Sequence, residues 1–218
     1  MPDLAQIINA IAVGAIPVLF AITLHEVAHG WAARQFGDRT AELLGRLSLN
    51  PVKHIDPIGT VAVPLGLYLV SGFLFGWAKP VPVGFNNLRN PKRDMIFVAL
   101  AGPAANMLMA IGWALVFKLA VSSGVGAAGA GSMLLKMAEI GISINIILAA
   151  FNMLPIPPLD GGRVLRGLLS ESIGKYLDAI EPFGLIIVPL LLFTGYLGAV
   201  VMPMYRFLVS AVFSLVGL

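Results

Sequence analysis

The chain of 218 residues contains no cysteine, and only 11% of its residues are charged. Without cysteine it can form neither a disulfide framework nor a metal site built on thiolates. Average soluble domains carry about 25% charged residues, so 58% hydrophobic residues and a mean hydropathy of +0.91 indicate an integral membrane protein. The net charge of +3 is too small to suggest a nucleic-acid surface. We therefore expect a lipid bilayer around the chain and no nucleic-acid partner.

Hydrophilic appendages are also lacking, because apolar segments and short connections take up the whole sequence. The N-terminus has no basic region ahead of its first apolar stretch, so we expect no cleavable signal peptide. We interpret residues 1–218 as a single membrane-embedded domain.

Five apolar stretches predict the architecture: about 7–29, 57–78, 95–120, 133–158 and 181–218. A membrane-spanning helix needs about 20 residues. The last stretch is too long for one span and contains Pro189, Gly195, Gly198 and Pro203, so we expect two helices with a break near Val200–Pro203. The prediction is an all-α helical bundle of five to six membrane segments in a multi-pass protein of the cell membrane.

Basic residues cluster in the connections that flank the second stretch and in the one that follows the fourth, whereas residues 121–132 carry no charge. The positive-inside rule places the basic connections in the cytoplasm and the uncharged loop outside. Both flanks of 57–78 are then cytoplasmic, which predicts that this stretch re-enters, lies at the interface or forms a hairpin. An ordinary span with one basic loop on the wrong side remains the alternative.

Two of the three histidines stand in the sequence His25-Glu26-Val27-Ala28-His29, directly after an uncharged apolar run. Residues four apart on an α-helix face the same side, so the two imidazoles could take adjacent corners of a Zn²⁺ tetrahedron. Glu26 is placed to take a proton from a water on that metal. Polar pairs on a helix surface are the alternative, but ionisable groups at membrane depth are costly unless they have partners.

A third ligand is expected in the segment Asn152-Met153-Leu154-Pro155-Ile156-Pro157-Pro158-Leu159-Asp160-Gly161-Gly162, where prolines end the fourth helix. Asp160 follows at the same end, and the two glycines allow a close approach. Asp160 as the N-cap of a helix that starts at Gly161 remains open beside the metal role.

These motifs, with Ala101-Gly102-Pro103-Ala104-Ala105-Asn106 between them, resemble the site-2 protease family of intramembrane zinc metalloproteases. The segment 78–94 resembles its compact bacterial branch without PDZ or CBS domains. The resemblance implies one Zn²⁺ per chain held by His25, His29 and Asp160, with Glu26 as the general base. It also implies a membrane-protein substrate with a transmembrane helix.

Two further polar residues are candidates for supporting roles in catalysis. We expect Asn106 and His54 to donate hydrogen bonds to the oxyanion of the reaction. Asn106 could instead join helices, and His54 could be solvated or replace Asp160 as the third ligand. With the first stretch running inwards, the histidines and Asp160 meet at cytoplasmic helix ends, so the active site should face the cytoplasm.

The sequence thus predicts a zinc-dependent intramembrane endopeptidase, with a non-enzymatic metal-binding or transport protein as the alternative. Alternating Val and Pro in Lys79–Asn90 could form short β elements within 79–94 and present an edge to an extended substrate.

Overall fold

The computed structural model describes residues 4–71, 76–124 and 129–218, and all regular structure in these ranges is helical. The α-helices are α1 (Leu4–Gln35), α2 (Thr40–Leu43), α3 (Val63–Ser71), α4 (Pro91–Ser122), α5 (Ala130–Asn152), α6 (Asp160–Leu168), α7 (Glu171–Ile180), α8 (Gly184–Phe193) and α9 (Tyr196–Val216). Short 3₁₀ turns (Pro51–His54, Phe85–Asn87 and Glu181–Phe183) and a π-helical segment (Pro57–Ala62) connect them.

Four helices in these ranges are long and apolar enough to cross a membrane. They lie at Val13–Gln35, Pro91–Ser122, Gly131–Asn152 and Tyr196–Val216. The segments Glu171–Phe183 and Ile186–Phe193 meet at an angle of 77° and would add a fifth crossing if the pair counts as one broken span. The predicted all-α, multi-pass architecture is confirmed.

The two ends of the stretch 57–78 lie next to each other. The Trp77 amide donates to the Gly59 carbonyl at 2.9 Å, and the Lys79 amide donates to the His54 carbonyl at 2.9 Å. The Thr60 hydroxyl also donates to the Trp77 carbonyl at 2.9 Å. A segment whose two ends are hydrogen-bonded to each other cannot cross a membrane once, so the returning path predicted from the basic flanks is confirmed. Residues 72–75 of this stretch, like 125–128 of the uncharged loop, lie outside the described residues.

The predicted break near Val200–Pro203 is wrong. The chain breaks at Gly195, which has a φ of +80°, and α9 runs through Pro203 without interruption. A left-handed backbone is easy only for glycine, whereas a proline inside a membrane helix is tolerated when its surroundings satisfy the freed carbonyl. The glycine therefore decides where this helix pair separates.

The short β elements allowed for 79–94 do not form, and residues 79–84 have no regular secondary structure. Pro80 and Pro82 remove every second amide donor from this segment. A regular ladder of backbone hydrogen bonds is thereby prevented.

Helices α1, α4 and α5 pack against one another and form the interior of the bundle. Ala110 and Ala114 of α4 pack with Ile142 and Ile146 of α5, and Val212 of α9 joins this cluster. Small residues on α4 let the backbones approach closely. The same close packing brings Gly102 of α4 against the two histidines of α1.

Candidate metal centre

Three potential metal ligands converge where α1, α4 and α6 meet. His25 and His29 lie one turn apart near the end of α1, and their Nε2 atoms are 3.0 Å apart. Asp160 is the first residue of α6, and its Oδ2 lies 3.3 Å from each of these Nε2 atoms. Zinc bonds of about 2.0–2.2 Å at tetrahedral angles put ligand atoms about 3.3–3.6 Å apart. The three atoms therefore have nearly the spacing of one face of a zinc tetrahedron.

Hydrogen bonds fix which nitrogen of each imidazole carries the proton. The side-chain amide of Asn106 donates to the Ala21 carbonyl, so its Oδ1 must accept the 2.6 Å hydrogen bond from His25 Nδ1. His29 Nδ1 donates to the Val98 carbonyl at 2.8 Å. In the neutral rings both Nε2 atoms are then unprotonated and turn their lone pairs toward Asp160, as metal-binding histidines do.

Asp160 completes the set with an atom that has no hydrogen-bond partner in the described part of the chain. Its Oδ2 is buried, and the residue is only 6% exposed. Two imidazole lone pairs and a carboxylate oxygen this close repel one another unless a cation lies between them. Two histidines and one carboxylate are also the ligand set of catalytic zinc sites that keep a fourth position open. The residues therefore fit a zinc ion.

The N-cap alternative for Asp160 is not realised, because Leu159 occupies the N-cap position and Asp160 lies within the first turn. Glycines permit this arrangement. A Cβ on Gly161 would lie 2.3 Å from the Met153 carbonyl oxygen, and one on Gly162 would lie 2.5 Å from the Pro157 nitrogen. Larger residues would push α6, and Asp160 with it, away from the histidines.

Glu26 lies in the same cavity of about 140 Å³ as His25, His29 and Asp160. Its Oε2 accepts a 2.7 Å hydrogen bond from the Val81 amide. One carboxylate oxygen is thus anchored to the non-helical segment 79–84, and this hydrogen bond limits the rotamers available to the Glu26 side chain. This arrangement suits a general base, whose catalysis depends on position as well as pKa.

Asn106 is fully buried and belongs to a polar network behind His25. Its amide donates to the Asn145 side chain at 2.8 Å as well as to the Ala21 carbonyl, and Asn145 donates to the Gly141 carbonyl at 2.8 Å. Both amide protons are used within the helices. These contacts favour an orienting role on His25 over the predicted role as an oxyanion donor.

His54 is also buried, but it is neither one of the three clustered ligands nor part of the cavity lining. Its Nε2 donates to the Ser48 carbonyl at 2.8 Å, and its own carbonyl accepts the Lys79 amide. The structure does not bring His54 to the metal ligands. It holds together the connection at the base of the 57–78 hairpin.

Sequence reasoning missed three contributors to the site. The Val81 contact is made by a backbone amide, which no residue type in the sequence reveals. Gly102, in contrast, belongs to the motif Ala101–Asn106. Arg163 lines the cavity and follows Asp160 by three residues. Because residues three apart share a helix face, that spacing was a usable signal.

Comparisons with known proteins agree with this geometry. The model of Peptidase family M50 matches residues 116–194, a range that includes Asp160. The protein named "Putative zinc metalloprotease YwhC" of Bacillus subtilis is 38% identical over 188 residues, which are 86% of this chain and 82% of that protein. "Zinc metalloprotease MJ0392" of Methanocaldococcus jannaschii is 26% identical over 159 residues, 73% of this chain and 35% of that protein. No solved structure matches the chain.

The chain therefore belongs to peptidase family M50, the site-2 protease family of zinc metalloproteases. The resemblance inferred from the three motifs is confirmed, and so is the enzyme class.

Proposed function

We propose that this protein is a zinc-dependent endopeptidase that cleaves peptide bonds in or near the transmembrane segments of membrane proteins. The observation that carries the proposal is the convergence of three ligand atoms, from His25, His29 and Asp160, with the Glu26 carboxylate in the same cavity. A multi-pass membrane protein offers such a site to substrates that lie in the same bilayer. The metal ligands come from α1 and α6, and the residues that hydrogen-bond to the histidines come from α4. We therefore propose that residues 1–218 work as one domain.

A zinc ion held by His25, His29 and Asp160 supplies a Lewis acid that polarises a peptide carbonyl and makes water more acidic. Glu26 takes a proton from the attacking water and delivers it to the leaving nitrogen as the carbon–nitrogen bond breaks. The Val81 N–H keeps Glu26 aimed into the cavity during both transfers. Asn106 and the Val98 carbonyl keep the imidazoles in the required tautomer.

The non-helical segment 79–84 is a candidate edge for the substrate backbone. Arg46 donates to the Lys79 carbonyl at 2.8 Å and to the Pro80 carbonyl at 3.3 Å, and so holds the start of this segment. Val81 and Val83 both line the cavity, and in a strand paired with substrate the amides of alternate residues would point the same way. A substrate unwound from its helix can pair with this edge by strand addition.

The active site faces the cytoplasm in this proposal. The basic residues flank the 57–78 hairpin, whose base at His54 and Lys79 lies beside the segment that holds Glu26. The positive-inside rule places that side in the cytoplasm. The partner is a membrane protein with at least one transmembrane helix.

Glu26→Gln tests the proposal against a protein that only binds metal. The variant should retain about one zinc per chain and lose cleavage of a tagged single-span membrane protein, because glutamine cannot accept the proton. Equal cleavage by the variant and the parent would contradict the mechanism. Zinc binding by both without cleavage of any membrane substrate would favour the non-enzymatic alternative.

A further inference from the structure

Arg163 lies on helix α6 at the edge of the cavity that contains the metal centre. It follows Asp160 by three residues and so shares its helix face. Its side chain lines the cavity that contains His25, Glu26 and His29. It also lines a neighbouring cleft of about 370 Å³ between the start of α4 and helices α6 and α7. Arg163 therefore stands at the junction between the catalytic cavity and an open cleft.

The guanidinium of Arg163 is held in place without using its hydrogen-bond capacity. It lies over the Phe85 ring at 5.1 Å from the centroid, which is a stacking contact. Its ion pair with Glu181 is long, with 3.7 Å between Nη2 and Oε1. Its buried Nε has no hydrogen-bond partner in the described part of the chain. Since arginine offers five N–H donors, this one is positioned and has donors to spare.

Arg166, one turn further along α6, shows the opposite arrangement. Its Nε donates to Asp178 at 2.7 Å and its Nη2 donates to Glu171 at 2.9 Å. It lines the neighbouring cleft but not the metal cavity. Two arginines on one short helix thus differ sharply, because Arg166 is neutralised by close acids whereas Arg163 is free to bind a new acceptor.

The cavity requires such a donor if it hydrolyses peptides. A carbonyl that is attacked by water becomes a tetrahedral oxyanion, and a preorganised donor near the oxygen lowers the barrier. Asn106 and His54, the donors expected from the sequence, are committed to other acceptors. Among the described residues that line the cavity, Arg163 is the one arginine or lysine.

We propose that Arg163 is a catalytic residue whose guanidinium donates a hydrogen bond to the carbonyl oxygen of the scissile peptide as that oxygen becomes an oxyanion. The inference rests on the proposed peptidase function. The ligand is a peptide carbonyl rather than a side chain of the substrate, so the contact strengthens in the transition state. The contact with the Phe85 ring keeps the guanidinium beside the cavity before substrate arrives.

The experiment compares Arg163→Lys, Arg163→Gln and Arg163→Ala with Arg166→Gln as the matched arginine variant. Each protein is purified in detergent, its zinc content is measured, and kcat and KM are determined with a tagged single-span membrane protein. Loss of one oxyanion donor should lower kcat of Arg163→Gln by about 100- to 1000-fold with zinc content unchanged. Arg163→Lys should retain part of the rate, and Arg166→Gln should turn over at the parent rate per folded, zinc-loaded chain.

Two further measurements separate a catalytic donor from a structural residue. Guanidinium ion should enter from the open cleft and restore part of the rate of Arg163→Ala, but should not accelerate the parent. On a Glu26→Gln background, Arg163→Gln should leave the Kd for the uncleaved substrate within about twofold, because the contact belongs to the transition state.

Three results would overturn the inference. The first is a kcat of Arg163→Gln within about threefold of the parent value. The second is loss of zinc from every Arg163 variant. The third is a Kd for the uncleaved substrate that rises by the same factor by which Arg163→Gln lowers kcat/KM. Absence of cleavage by the parent protein itself would instead refute the proposed function. The failures of the two proposals are therefore distinguishable.

Discussion

Alanine at position 102 should disrupt the metal centre although it adds only a methyl group. A Cβ on Gly102 would lie 2.4 Å from His29 Nε2 and 2.6 Å from His25 Cε1, whereas ordinary contacts begin near 3.4 Å. The imidazoles or helix α4 must therefore move by about 1 Å. Since a zinc–nitrogen bond is about 2.0–2.1 Å long, a shift of this size breaks at least one of the three protein–metal bonds.

We expect Gly102→Ala to bind zinc at least 10- to 100-fold more weakly, the range seen when residues that support metal ligands are changed. Overpacking should also cost about 1–3 kcal/mol of folding free energy. The assay is a zinc titration against a competing chelator in detergent, combined with thermal unfolding with and without the chelator.

Gly112→Ala on the same helix is the matched control, because a Cβ there would meet nothing within 4 Å. Alanine is favoured over glycine in a helix by about 0.5–1 kcal/mol. The two substitutions should therefore have opposite signs, with Gly112→Ala neutral or stabilising and its zinc affinity unchanged. Parent-like zinc affinity in Gly102→Ala would refute the close approach of α4 to the histidines.

Four other substitutions test separate features of the structure. Asn106→Ala should weaken zinc binding by about 10- to 100-fold, measured by the same titration, because His25 Nδ1 loses its acceptor. Val81→Pro removes the amide that anchors Glu26 and should lower kcat. Val83→Pro removes an amide that a paired substrate strand would use and should raise KM. An unchanged KM in Val83→Pro would contradict strand addition. Asp38→Asn should lower the free energy of unfolding at pH 7 by about 1–3 kcal/mol, because the carboxylate accepts hydrogen bonds from the Gly84 amide and the Asn87 side chain. Equal melting temperatures of the parent and the variant at pH 7 would contradict this expectation.

The Asp38 effect carries a pH signature. Burial acts to raise the pKa of this carboxyl, but hydrogen bonds from Thr40, Asn87 and the Gly84 amide outweigh burial and lower it. A folded-state pKa below the unfolded value means that the stabilisation is complete above about pH 4 and is lost as pH falls through the folded-state pKa. The difference between parent and Asp38→Asn should therefore be largest at neutral pH and should shrink in acid.

Local sequence patterns were enough to predict that His25, His29 and Asp160 lie together. The spacing of His25 and His29 determines a common face on any helix, and the prolines before Asp160 fix where the preceding helix must end. The return of the 57–78 stretch could also be predicted, because charge in the flanking connections constrains topology without any knowledge of packing.

The supporting contacts could not be predicted, because they join residues far apart in sequence through packing. Asn106 reaches His25 across 81 positions, and the Val81 amide reaches Glu26 across 55. Asparagine in a membrane helix has several ways to satisfy its amide, and only the packing of α1 against α4 and α5 selects one. The break at Gly195 was misplaced for a related reason, since a bilayer weakens the usual penalty on proline within a helix.

The most direct test of the metal centre is the zinc content of the purified protein in detergent, measured beside Asp160→Ala and His54→Ala after metal has been added back. We expect about one zinc per chain in the parent and in His54→Ala, because His54 lies outside the ligand cluster, and little or none in Asp160→Ala. Zinc retained by Asp160→Ala, or lost from His54→Ala alone, would contradict the assigned metal centre.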